Sequence, residues 1–430
     1  MMHKLLINFT WWVNREDAEG NNVFEGGFLG LDNIGPFNRS KPLPGGNRLE
    51  QSDGTAWMAM YCLNLLEMAL RLAENDHHSY EDLAVKFLEH FTLIAAAMNE
   101  SDLWDEEDGF YYDAVRRPDG TSQRVQVRSM VGLIPLVAVA VGDGHRAAEM
   151  PELTERILWF LTHKPTYAGL IGRASSPGSE SPADGPASRP DGATSGGGAT
   201  SGGATSGGAT AGAGAGGGSV LMASVVSTDR LRRVLERMLD TEEFLSPHGL
   251  RSLSRWHADH PFSMSLDGFD AAVDYEPAES RSRLFGGNSN WRGPVWFPLN
   301  VLVLESLLRM HKFIGDSFTV ELPAGSGRQA TLAEVSDDLA ERLISLFRRG
   351  EDGRRPGATT GGLARFEDHP DWRDLPVFYE YFHGDDGGGL GASHQTGWTA
   401  LVADLILARP ARRDTPLSRA RAETEGRDHL

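Results

Sequence analysis

Apolar residues along this chain recur mostly at helical spacing, and convincing two-residue alternation is scarce. Between Asp53 and Leu72 they occupy most faces of a helix, which predicts an inner, buried element. Ser79 with Asp82 reads as an N-terminal cap, followed by Leu83, Phe87, Leu88, Phe91 and Ile94 on one stripe. Further helices are predicted over Val127–Val141, broken or started near Pro135, and over Leu153–Leu161. Thr228 opens another, with Leu231, Val234, Leu235, Met238 and Leu239 on one face. Pro294–Phe313, Leu332–Phe347 and Gly391–Leu407 complete the series. The pattern predicts a mainly α fold with long connections that carry Gly, Trp and charged residues.

Residues 175–219 break the pattern. They repeat Gly-Ala-Thr-Ser-Gly-Gly and hold almost no large apolar side chain. Such a segment buries too little surface to offset its ordering entropy, so it is expected to be a disordered insert. The helical pattern resumes after it, so residues 1–174 and 220–409 are read as two parts of one domain, followed by a polar, flexible tail over 410–430.

Composition narrows the function. The 430 residues are 40% hydrophobic and 23% charged, enough for a substantial core. A net charge of −19 argues against nucleic acid or an anionic membrane as partner. The one cysteine, Cys62, falls in an apolar run and is expected to be a buried core residue. The N-terminus lacks a signal-peptide pattern, and the longest apolar stretch is too short to span a bilayer. A cytoplasmic location is the expectation.

The candidate chemistry lies in the connections. Glu25-Gly-Gly-Phe-Leu-Gly-Leu31-Asp32-Asn33 sets Asp32 in a glycine-flanked, apolar loop. Desolvation disfavours a charged carboxyl, and a carboxylic acid that keeps its proton can serve as a general acid. Far along the chain, Phe378-Tyr379-Glu380-Tyr381-Phe382 walls a second acid, Glu380, with aromatics. Two carboxylates in such settings are what glycosidic hydrolysis requires. Each reads equally as a structural acid pairing with an arginine or capping a helix.

Asn290-Trp291-Arg292-Gly293-Pro294-Val295-Trp296 offers flat indole faces for sugar C–H groups and an arginine for hydroxyls. A core tryptophan pair fits the same residues. Gln51 and Asp53 open the inner helix, where Asp53 serves either a substrate or an N-cap. The acidic turn Trp104–Asp113 has no EF-hand spacing. The glycine run Gly387–Gly391, ahead of His394 and Gln395, lacks the lysine of a phosphate loop.

Taken together, these motifs resemble the C-terminal catalytic part of bacterial glycoside hydrolase family 63 proteins, related to processing α-glucosidases and mannosylglycerate hydrolases. Residues 25–33 resemble the family's Glu-Ser-Gly-Trp/Met-Asp-Asn/Ser motif, which makes Asp32 the general acid and Asn33 its neighbour in the site. Tyr379-Glu380-Tyr381 resembles the Glu-Asn-Tyr motif, which makes Glu380 the general base. Residues 290–296 resemble the Tyr-Trp-Arg-Gly-Pro-Ile-Trp motif of the sugar subsite. The resemblance implies an (α/α)6 barrel, an inverting mechanism on α-linked glucosides or mannosides, and no cofactor or metal. Its implied substrate contacts are Trp291, Arg292, Trp296, Gln51, Asp53, Asn33, Tyr381 and His394.

Ile34 and Gly35 depart from the family's serine and proline. The helices read here number fewer than the barrel's twelve, so the barrel is expected to be incomplete at its N-terminal side. An upstream segment or a second chain would complete it. The alternatives are an inactive or carbohydrate-binding fragment, and a sugar isomerase or epimerase on a similar barrel; paired carboxylates favour hydrolysis over the histidine pairs of the latter.

Overall fold

The computed structural model describes residues 2–14, 20, 22–25, 31–39, 41–74, 77–143, 150–163, 171–175, 219–281, 289–358 and 364–412. The fold is mainly helical with small sheets. The main helices are α1 (Met2–Val13), α2 (Ser52–Ala73), α3 (His77–Glu100), α4 (Pro151–His163), α5 (Thr228–Met238), α6 (Phe297–Ile314), α7 (Leu332–Ser345) and α8 (Val402–Arg412).

α2 is the inner helix its sequence predicts. Met58, Cys62, Leu63, Leu65 and Leu66 are all buried, and α2 packs along α3 through Phe87, Phe91 and Ile94. Each fully buried large apolar side chain contributes roughly 1.5–3 kcal/mol. Burial also pushes the Cys62 thiol well above its ordinary value. α6 packs on α7, and α8 covers α7. α5 begins at Ser227, whose hydroxyl accepts from the Arg230 amide, and α7 begins with a reciprocal Thr331–Glu334 capping box.

The segment Val127–Val141 is not a helix. It forms short 3-10 turns at Met130–Gly132 and Ile134–Val137 and then a strand, Val139–Asp143. Pro135 removes a helical donor, and Val131, Ile134, Val137, Val139 and Val141 are β-branched. A partner strand, Ser219–Ser224, pairs antiparallel with Val139–Asp143 on one edge and Ile171–Ser175 on the other. Ile134–Asp143 thereby becomes a spine on which α2 and α6 both pack. Ser175 pairs with Ser219, so the two ends of the predicted insert meet; residues 176–218 and 413–430 lie outside the described residues.

Other boundaries also moved. α3 begins at His77, so Ser79 and Asp82 lie inside its first turns rather than capping it. Gly391–Leu407 is a short helix, Thr396–Thr399, a break at Ala400–Leu401, and then α8. α8 runs through Pro410 to Arg412, past the predicted start of the tail. α1 was not anticipated; it seats Phe9 edge-on against Phe87 and leaves Ile7 and Trp11 exposed.

A second, smaller core lies between the sheet of Arg48–Glu50, Asp113–Arg116 and Ser122–Val125 and the hairpin Phe262–Leu266/Phe269–Val273. Met264, Leu266, Ala271 and Val273 fill it with Phe37, Val115 and Val125. Among the described residues, no helix is long and apolar enough to cross a membrane.

Candidate active site

The two acid-bearing segments are held to the Trp-Arg segment by separate sets of bonds. On the first side, Leu31 and Ile34 anchor a turn in the core and leave Asp32 half-buried between them. Asn33 is the staple. Its side-chain oxygen accepts from the Trp291 amide at 2.7 Å, and its side-chain nitrogen donates to Asn290 Oδ1 at 3.0 Å. Its carbonyl accepts from Arg292 Nε at 2.7 Å, and Gly35 O accepts from the same guanidinium at 3.2 Å. Arg292 also faces Glu276 at 3.5 Å, and burial pulls its guanidinium below the ordinary value. Gly293, at φ +143, is required here: a Cβ would lie 2.6 Å from the Tyr275 ring.

On the second side, Val295 and Phe382 exchange backbone hydrogen bonds of 2.8 and 3.0 Å, which dock the Glu380 segment on the Trp segment. The short strands Tyr381–Phe382 and Gly389–Leu390 then pair and return the chain past Glu380. Glu380 accepts from the Ala392 amide at 3.0 Å and from Ser289 Oγ at 3.2 Å. Gly391, at φ +67, allows this approach; a Cβ there would sit 2.7 Å from Glu380 Oε2.

Aromatic rings stack along the Trp-Arg segment. Trp291 stacks on Trp296 at 3.8 Å, Trp296 on Tyr381 at 4.5 Å, and Trp398 lies tilted 5.4 Å from Trp296. Trp296 is fully buried, and its indole nitrogen donates to Asn290 O at 2.7 Å. Asn290, also fully buried, donates to the carbonyls of Glu276 and Ala278.

Several predicted contacts take other places. Trp296 lies buried in the middle of the aromatic stack, between Trp291 and Tyr381, rather than lining an open wall, and the Arg292 guanidinium is engaged by loop carbonyls and Glu276. Asp53 is neither an N-cap nor open to a ligand. Gln51 is the N-cap residue, and Asp53 is buried in an ion pair with Arg39, which also reaches Asp113 at 3.1 Å. His394 sits exposed on the return loop with φ +62. Gln51 is buried, its amide nitrogen has no hydrogen-bond partner among the described residues, and it lines a cleft of about 910 Å³ with Trp11, Glu25 and Arg39. Neither Asp32 nor Glu380 lines that cleft, so the shared hydrogen bonds define the candidate site and the cleft does not.

The sequence reading gave no role to Glu276, Glu279 or Ser289. Only their position just before Trp291 could have signalled them. The acidic turn is structural: Asp105 caps the Glu107 and Asp108 amides, and Asp108 pairs with Arg128 and Arg237. Among the described residues, no group of three or more His, Cys, Asp or Glu could hold a metal ion.

With this geometry in place, comparison with known proteins is specific. The mannosylglycerate hydrolase MGH1-like glycoside hydrolase domain matches residues 199–399, which include Trp291, Trp296, Glu380 and Tyr381 but not Asp32. The chain is 44% identical over 424 residues to the uncharacterized protein YMR196W of Saccharomyces cerevisiae, covering 94% of this chain and 35% of that protein. It is 24% identical over 181 residues to the mannosyl-oligosaccharide glucosidase of the same yeast, covering 42% of this chain and 15% of that protein. A probable mannosyl-oligosaccharide glucosidase of Schizosaccharomyces pombe matches at 24% over 178 residues, 41% of this chain and 15% of that protein. The chain thus spans about a third of the first relative's length and less of the other two. Residues 199–399, just under half of the chain, are thus similar to the MGH1-like glycoside hydrolase domain of family 63.

Proposed function

We propose that this chain is the catalytic part of an inverting glycoside hydrolase acting on α-linked glucosides or mannosides. Asp32 is the general acid and gives its proton to the glycosidic oxygen as the C–O bond breaks. Glu380 is the general base and takes a proton from the water that attacks the anomeric carbon from the opposite face. The products are the freed alcohol and a sugar of inverted configuration, with one water consumed.

The observation that carries this reading is the double anchoring of residues 289–296. Asn33 ties the Asp32 turn to its start, while Ser289 and the Val295–Phe382 bridge tie in Glu380. The names of the mannosylglycerate and mannosyl-oligosaccharide relatives suggest the sugar class. In this reading the buried Trp291 and Tyr381 back the sugar site from behind, and Gln51, which lines the separate cleft, makes no substrate contact.

The scaffold in this reading is an (α/α)6 toroid completed by helices from outside this chain. They would pack on the exposed Ile7 and Trp11 of α1 and on Ile406 and Leu407 of α8. The test is hydrolysis of p-nitrophenyl α-glucoside and α-mannoside by the chain and by a version lengthened at its N-terminus. Asp32→Asn and Glu380→Gln should each remove most turnover. Full activity in both variants refutes the mechanism.

A further inference from the structure

We propose that Glu279 is a second sugar-recognition carboxylate of this site, one that accepts hydrogen bonds from two hydroxyls of the sugar ring and turns away anionic sugars. The inference rests on the glycosidase reading above and deepens it.

Glu279 and Glu380 share one short stretch of backbone. The Gly391 amide donates to Glu279 Oε1 at 3.1 Å, and the next amide, Ala392, donates to Glu380 Oε2 at 3.0 Å. The Tyr381 hydroxyl donates to Glu279 Oε2 at 2.7 Å, while the Tyr381 ring stacks on Trp296. Burial first, and the Glu279 carboxylate second, push the Tyr381 phenol far above its ordinary value, so it stays a donor. Glu279 is also fixed from behind, because the carbonyl of Ala278 accepts from the buried Asn290 at 2.7 Å. A loose surface acid would have none of these three anchors. Yet Glu279 itself is exposed, and its partner Tyr381 ends a stack whose middle ring, Trp296, also meets the partly exposed Trp398.

The hydrogen-bond inventory then selects the ligand. Each carboxylate oxygen has two lone pairs, and among the described residues one on each is engaged, Oε1 by the Gly391 amide and Oε2 by the Tyr381 hydroxyl. Glu279 therefore keeps acceptor capacity on both oxygens for O–H donors. A neutral polyol supplies the missing O–H donors, and two neighbouring ring hydroxyls match the two oxygens of one carboxylate. A uronic acid or a phosphorylated sugar would place its charge against Glu279 and Glu380 together, which repels it.

The test is tryptophan fluorescence of the full chain, read while titrating methyl α-D-glucopyranoside, methyl α-D-mannopyranoside and methyl α-D-glucopyranosiduronate. Wild type should bind one of the neutral sugars saturably and the uronide poorly. Glu279→Gln, which keeps the shape but removes the charge and turns one acceptor oxygen into an NH2 donor, should weaken the neutral sugar about tenfold or more, as loss of hydrogen bonds to a charged group predicts. It should also narrow or erase the preference over the uronide. On p-nitrophenyl α-glucoside it should raise KM more than it lowers kcat, whereas Glu380→Gln should lower kcat. Absence of saturable binding in wild type, or unchanged neutral-sugar affinity and unchanged discrimination in Glu279→Gln, overturns the inference. If Glu380→Gln keeps full activity, the hydrolytic reading falls, but the binding titration still decides the role of Glu279.

Discussion

Replacing Arg39 with leucine should destabilise the protein more than any surface charge change. The Arg39 side chain is 5% exposed and bridges Asp53 and Asp113, whose side chains are 0% and 9% exposed. It donates to Asp53 Oδ2 at 2.8 Å and to Asp113 Oδ2 at 3.1 Å. Leucine fills much of the volume but leaves two buried carboxylates facing each other without a cation. Each keeps one amide donor, Gly54 for Asp53 and Ser52 for Asp113, at the N-terminus of α2, where the helix dipole also helps. These offset only part of the loss. Removing one partner of a buried ion pair costs about 3–5 kcal/mol, and that is the expected loss in urea unfolding at pH 7. The deficit should shrink as pH falls, because protonation removes the uncompensated charge. The combined variant Arg39→Leu/Asp53→Asn/Asp113→Asn should recover much of it. A loss under about 1 kcal/mol for Arg39→Leu alone, well below that range, or no recovery at low pH, would refute the reasoning.

Two further changes follow from the same physics. Burial raises the Asp113 carboxyl from 3.8 to about 6 against the opposing pull of Arg39, with Asp53 adding to the rise. The folded state therefore binds a proton more tightly than the unfolded one, so Asp113 adds stability that is complete below pH 3.8 and lost as pH rises through about 6. Asp113→Asn should flatten that part of a melting-temperature profile, and an unchanged slope would contradict the assignment. Gly391→Ala places a methyl 2.7 Å from both Glu380 Oε2 and the Tyr381 ring, at φ +67. Backbone strain of about 1–2 kcal/mol is expected. Turnover should drop far more than melting temperature does, and equal losses would make the position structural only.

How much the sequence revealed depended on whether a residue's partners were near or far. α2, α5, α6 and α7 were legible because 3.6-residue periodicity and their starts are local signals. Val139–Asp143 was not, because its strand partner lies beyond the Gly-rich segment. The hairpin Phe262–Leu266/Phe269–Val273 does alternate, but its five-residue strands are easily lost in a helical sequence. For the site, motif matching proposed Asp32, Trp291 and Glu380. It could not show that Asp53 faces Arg39, that Trp296 is sandwiched between Trp291 and Tyr381, or that Glu279 meets Tyr381 across a hundred residues of chain. These are choices of tertiary partner, and no local pattern encodes them.

The most direct measurement is the configuration of the first sugar released. Proton NMR of the anomeric region should follow hydrolysis of an α-glucoside at intervals shorter than mutarotation, with Glu380→Gln as control. The account predicts β-glucose first, with the α-anomer appearing only by mutarotation, and loss of the signal in the variant. α-Glucose as the first product would mean retention through a covalent intermediate and would contradict the roles assigned to Asp32 and Glu380.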